Sequence, residues 1–229
     1  RIVQGWDFVD NDPIADDGNG HGTHVAGTIA GANDGVGITG VAYDANIMPI
    51  RVLNNNGSGY LSDITDGIRY AVDNGADVIN LSLGGGGYNS GMFNAIQYAS
   101  EQGTVVVMAS GNSGEYMPGY PAMYATNHGI AVGATDINGN RASFSNRAGT
   151  EVMDYVTAPG VNIYSSLLND SYGYFSGTSM ATPHVAGIAA LLQSYDNNLR
   201  AEEVEEIIIN SIGEVFVMFP HFLPRISSK

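Results

Sequence analysis

The 229-residue chain carries 23 acidic and 8 basic side chains, a formal charge of −15 that repels nucleic acid and anionic membrane surfaces. Hydrophobic residues at 44% against 14% charged fit a folded domain with a sizeable core. The chain has no cysteine, so thiol catalysis, Cys-ligated zinc and disulfides are excluded, and no apolar run approaches the ~20 residues of a membrane span.

Residues 16–31, DDGNGHGTHVAGTIAG, run from a Gly-rich loop into a helix of small residues. NIMPIRVL (46–53) reads as a strand, and 61–74 places Leu61, Ile64, Ile68, Ala71 and Val72 at helical spacing. GADVINLSLGG (75–85) is a buried strand, 90–102 a helix, GTVVVMASGN (103–112) a third strand and HGIAVGATD (128–136) a fourth. A long helix is expected over roughly 180–195 and a short acidic one over 201–210. Continuous Val/Ile runs separated by helices predict an α/β fold in three αβα layers. Its sheet is mostly parallel and covered on both faces, with function on loops past the carboxyl ends of the strands. One domain over 1–212 is expected, followed by a Phe- and Pro-rich tail, 213–229, that suits neither helix nor strand. Arg1 opens no basic-then-apolar leader, so no signal peptide is visible.

Three stretches carry candidate chemistry. In SGTSMATPHVAGIAALL (176–192), Ser179 stands at the start of a helix, beside backbone donors that no helical carbonyl satisfies, with Pro183 expected in or near the first turn. That position suits a nucleophile that must generate an oxyanion, and equally an ordinary capping serine. In MASGNSG (108–114), Asn112 follows a buried strand, where its carboxamide is either a donor at the sheet edge or a turn residue. His21 and His24 are three apart with no glutamate in the following helix, which fits zinc ligation poorly. His21 at a loop-to-helix junction suits proton transfer, whereas His24, deeper in the helix, reads as packing.

Taken together, GHGTHVAGTIA, ASGN and SGTSMATPHVAG resemble the histidine, oxyanion-asparagine and serine motifs of the subtilisin-like serine proteases, the subtilase family, in that family's order. The resemblance spans roughly residues 5–195. It implies that His21 is the general base, Ser179 the nucleophile, and Asn112 with the Ser179 backbone N–H the oxyanion site. It further implies a peptide-pairing edge at Ser82, Leu83 and Gly84, an opposing edge at Gly57, Ser58 and Gly59, and a pocket floored by Ala109 and Gly111 with room for a large apolar side chain. The loop 30–40 is similar to one that many subtilases wrap around Ca²⁺. There Asp34 would give a carboxylate, with carbonyls from Ala32, Val36 and Ile38. A secreted monomer acting on peptide or protein substrates, with a pro-segment, is the expectation that goes with the family.

One departure bears on activity. The family's triad acid precedes the histidine by roughly thirty residues, and only twenty residues precede His21. Asp7, Asp10, Asp12, Asp16 and Asp17 fall in the segment between the family's first catalytic strand and the histidine. The sequence therefore predicts a truncated or naturally shortened, impaired protease, or a peptide-binding remnant that keeps the groove.

Overall fold

The Val- and Ile-rich runs form the centre of the structure, a computed structural model that describes residues 1–211. The 213–229 tail lies outside the described residues. In chain order the elements are β1 (Trp6–Asp7), α1 (His21–Ala30), β2 (Ile50–Arg51), α2 (Leu61–Asp73), β3 (Val78–Leu81), α3 (Ser90–Glu101) and β4 (Val105–Ala109). A short 3₁₀ turn (Ala122–Thr126) leads to β5 (Ile130–Thr135), β6 (Tyr155–Pro159), the hairpin β7 (Ile163–Leu167) and β8 (Ser171–Phe175), α4 (Thr178–Tyr195) and α5 (Ala201–Asn210).

Strands β3, β4, β5 and β6 pair in that order, all parallel. Period-two alternation sends Val106 and Met108 to one face, where Ile64, Ile68, Ile96 and Ala99 of α2 and α3 cover them. Val105 and Val107 point to the other face, against Val185 and Ala189 of α4 and Val204 and Ile208 of α5. The result is the expected three-layer α/β arrangement. Its core strands are hydrophobic on both sides because both faces are buried.

The 46–53 run gives only the two-residue β2, paired in parallel to β1. β2 and β3 are not paired with each other, so the sheet is split between them. A cavity of about 2340 Å³ fills the split, lined by Ile50 and Val52 on one side and by Ile79 and Leu81 on the other. A strand is defined by its neighbours, and on this side β2 has none. The β7–β8 hairpin and β6 carry no long apolar run, which is why pattern alone does not mark them.

Candidate active site

Ser179 is the second residue of α4, where a backbone N–H has no acceptor within the helix. Pro183, expected in or near the first turn, is the sixth residue of α4, at the start of the second turn. Lacking an N–H, it leaves the Ser179 carbonyl without its helical donor. The Ser82 hydroxyl fills that vacancy, donating to Ser179 O at 2.8 Å, and itself accepts from Asn80 Nδ2 at 2.9 Å. The Ser179 hydroxyl donates to the Ser82 carbonyl at 3.2 Å. Proline in the helix thus ties the head of α4 to the end of β3.

Asn112 stands in the loop past the carboxyl end of β4. Its Oδ1 accepts from Thr178 N at 2.8 Å and from Thr178 Oγ1 at 3.0 Å. With the oxygen committed, Nδ2 is the amide's remaining donor group, which fixes the sense of the carboxamide. Asn112, Ser179 and His21 line one cavity of about 350 Å³, together with Tyr174, Phe175, Ser176, Gly177 and Met180. The 174–176 wall and the orienting role of Thr178 are additions of the structure. Thr178 was detectable as the residue at the helix start beside Ser179, whereas nothing in the sequence marked the wall.

His21 opens α1 and is half-buried. Burial pushes its imidazole pKa below the ordinary value, opposed by the nearby charge of Asp17. Among the described residues no carboxylate hydrogen-bonds to it. Asp17 is committed elsewhere: Oδ1 accepts from Asn19 N and Gly20 N, and Oδ2 from Thr23 N and Thr23 Oγ1. Burial raises the Asp17 carboxyl pKa, but these bonds outweigh it and hold the group below its usual range. Asp17 therefore caps the first turn of α1 from outside, three residues before Gly20, which stands at the N-cap position. Asp7 and Asp10 both pair with Arg51, and Asp12 accepts from Ile14 N.

The second histidine is core. His24 is fully buried, its ring stacked on Phe175 at 4.5 Å, with Nε2 at 3.0 Å from Ile163 O and 3.3 Å from Gly173 O. Two carbonyls around Nε2 require that nitrogen to carry the proton, and burial lowers the pKa, so the ring is neutral.

Of the expected peptide edges, Ser82, Leu83 and Gly84 and, opposite, Gly57, Ser58 and Gly59 all border the large cavity, as does His21. Gly57 and Ser58 form a turn closed by Gly57 N to Asn54 O and Asn54 N to Ser58 O. Ala109 and Gly111 line neither cavity: Ala109 is buried as the last residue of β4. The Asp34 loop closes on itself, Val36 N donating to Asp34 Oδ1. Even if the carbonyls of Ala32, Val36 and Ile38 joined this carboxylate as the resemblance implies, they would give four of the six to eight oxygens that calcium takes. The described residues contain no cluster of three or more His, Cys, Asp or Glu fit to hold a metal.

Fold and geometry together define a three-layer α/β protein with a serine, an asparagine amide and a histidine gathered past the carboxyl ends of a parallel sheet. The chain belongs to the subtilase family, Peptidase_S8, which matches residues 1–222. It is 51% identical over 205 residues to thermitase of Thermoactinomyces vulgaris, covering 88% of this chain and 72% of that protein. It is also 51% identical over 223 residues to a thermophilic serine proteinase of Bacillus sp. (strain AK1), covering 96% of this chain but 54% of the relative. The chain thus spans between about half and three quarters of these relatives' lengths. Among solved structures, a cold-adapted subtilisin-like serine proteinase superposes with a TM-score of 0.82 at 40% identity, over 92% of this chain and 74% of that one. Sphericase gives 0.83 at 35% identity, over 92% and 76%. No helix of the described residues is long and apolar enough to cross a membrane.

Proposed function

We propose that the chain is the core of a serine endopeptidase that hydrolyses peptide bonds through an acyl-enzyme on Ser179. In this reading His21 takes the proton from Ser179 Oγ as the hydroxyl attacks the scissile carbonyl, and returns it to the departing amine. Asn112 Nδ2 and the Ser179 N–H receive the negative charge that develops on the carbonyl oxygen. An extended peptide lies along Ser82–Gly84 and Gly57–Gly59, bound by backbone pairing that demands little of its sequence. The observation that carries the reading is the Thr178–Asn112 bond pair. It commits the carboxamide oxygen and leaves the donor nitrogen of a residue that shares one cavity with Ser179 and His21. Calcium enters only as a stabiliser partly held by the Asp34 loop, and an extracellular, monomeric existence accompanies the family assignment.

The same reading makes residues 1–229 a weak catalyst. Among the described residues no carboxylate hydrogen-bonds to His21 to fix its tautomer and stabilise the imidazolium, and in subtilisin itself loss of that acid alone costs about 3 × 10⁴ in kcat. A second reading, a peptide-binding domain without chemistry, is favoured by one observation: the Ser179 hydroxyl is turned to Ser82 O and not to His21. Covalent labelling with a fluorophosphonate separates the two. Slow labelling confined to Ser179 and lost in Ser179→Ala supports the protease. A folded chain whose Ser179 stays unlabelled supports the binding domain.

A further inference from the structure

The segment Ser110–Glu115 that carries Asn112 has little secondary structure of its own; backbone bonds to Val132, Phe144 and Arg147 and the Thr178 hydroxyl, which accepts from Gly111 N, help hold it, and one buried side chain grips it on both sides of Asn112. Asn146, 4% exposed, donates through Nδ2 to Ser110 O at 3.1 Å. Its Oδ1 accepts from Ser113 N at 3.1 Å and from Glu115 N at 3.0 Å. Its own backbone N–H donates to Gly111 O at 3.0 Å. One residue therefore bonds the backbone on both sides of Asn112. The carbonyl of Asn146 is fixed in turn, accepting from Tyr155 OH at 2.7 Å, Ser145 Oγ at 3.2 Å and Ser110 Oγ at 3.3 Å. The approach is close enough that a Cβ on Gly111, whose φ is +108°, would sit 2.5 Å from Asn146 Nδ2.

The chemistry selects asparagine. The clamp needs a donor and a doubly accepting oxygen on one short arm, which an amide alone supplies. Aspartate would turn an acceptor toward the Ser110 carbonyl, and serine cannot span both sides of the loop. Thr178 fixes where the Asn112 carboxamide points, but the position of the Asn112 Cα is set by the loop. An oxyanion donor works only within a few tenths of an ångström of its proper place, and a displacement of about 1 Å costs on the order of 10²-fold. Resting on the protease reading above, we propose that Asn146 is a positioning residue that acts on Ser179 chemistry through Asn112.

The test is a double-mutant cycle on the rate of fluorophosphonate labelling of Ser179, with hydrogen exchange followed by mass spectrometry. Asn146→Ala is expected to slow labelling roughly 10- to 100-fold. In the Asn112→Ala background the same change is expected to slow it less than about threefold, because the donor it positions is already gone. Amides of 111–115 are expected to exchange faster in Asn146→Ala while β4 and β5 stay protected. Equal slowing in both backgrounds, or loss of protection across β4 and β5, overturns the proposal in favour of a general packing role. A folded parent that never labels refutes the protease reading itself, and this role with it. An unchanged 111–115 exchange in a parent that does label refutes the clamp alone.

Discussion

At the scale of single residues, His21 and Asp17 show how neighbours divide between chemistry and support. Asp17 is close enough for its charge to favour imidazolium, yet its oxygens are held by four donors at the head of α1. Burial is the larger influence on His21, so the neutral, proton-accepting form persists below the ordinary histidine value. The labelling rate of Ser179 is expected to lose its acid limb at a pH below 6.5. Asp17→Asn is expected to move that midpoint lower still, since it removes the charge that favours imidazolium while keeping an acceptor for the cap. A pH–rate profile of both proteins checks this, and an upward shift in the variant would contradict the assignment of His21 as base.

Among the elements, α5 carries a conflict. Its head is fixed by Glu203, whose Oε2 accepts from Arg200 N at 2.9 Å and Arg200 Nε at 3.3 Å, and it buries Val204 and Ile208 against the sheet. Between these, Glu205 is 5% exposed, and among the described residues its Oε1 has no partner. Burial, reinforced by the charges of Asp154 and Glu202, pushes its pKa up to about 8. The folded chain therefore keeps a proton that the unfolded chain releases near its ordinary value of 4.5. Its contribution to stability falls as pH rises between those values, with a slope of at most about 1.4 kcal/mol per pH unit, and is flat above about 8. Glu205→Gln is expected to melt like the parent near pH 4 and at a higher temperature at pH 8. Thermal melts across that range measure it. A variant that tracks the parent at every pH would show that Glu205 is not held protonated.

For the molecule as a whole, the feature that governs behaviour is the split sheet. β2 and β3 present facing edges across a cavity of about 2340 Å³ with apolar walls, and Asn80 Oδ1, buried without a partner, is on a residue that borders it. Exposed strand edges and apolar walls invite aggregation and weaken cooperativity. Since both edges belong to parallel strands and His21 borders the same cavity, an added extended apolar segment ending in aspartate would have strand edges to pair with and, on the protease reading, would offer His21 a carboxylate. Joined upstream of Arg1, such a segment is expected to raise kcat on a chromogenic peptide by up to about 10⁴-fold and to sharpen thermal unfolding. Full activity of residues 1–229 without it would show that His21 needs no orienting acid here.

Much of this was legible in the sequence, and the reasons differ by feature. The Val/Ile runs specify β3, β4 and β5 because strands buried on both faces cannot afford polar positions, and spacing alone marks α2, α3 and α4. His21, Asn112 and Ser179 each stand where a loop meets the end of a strand or the start of a helix, which marks them only as candidates; it is the resemblance of their motifs to those of the subtilases that singles them out. The partners that make these residues a site are not local. Thr178 reaching Asn112, Ser82 replacing the proton that Pro183 lacks, and Asn146 holding the 110–115 loop depend on segments brought together by packing, and no spacing rule encodes them. Nor could the sequence show that Asp17 is spent on the head of α1, or that β2 and β3 stand apart. The sequence by itself determined the layers of the fold and the three residues of the candidate site. Only the tertiary structure decided how each is oriented, because hydrogen-bond direction is fixed by what lies opposite in space.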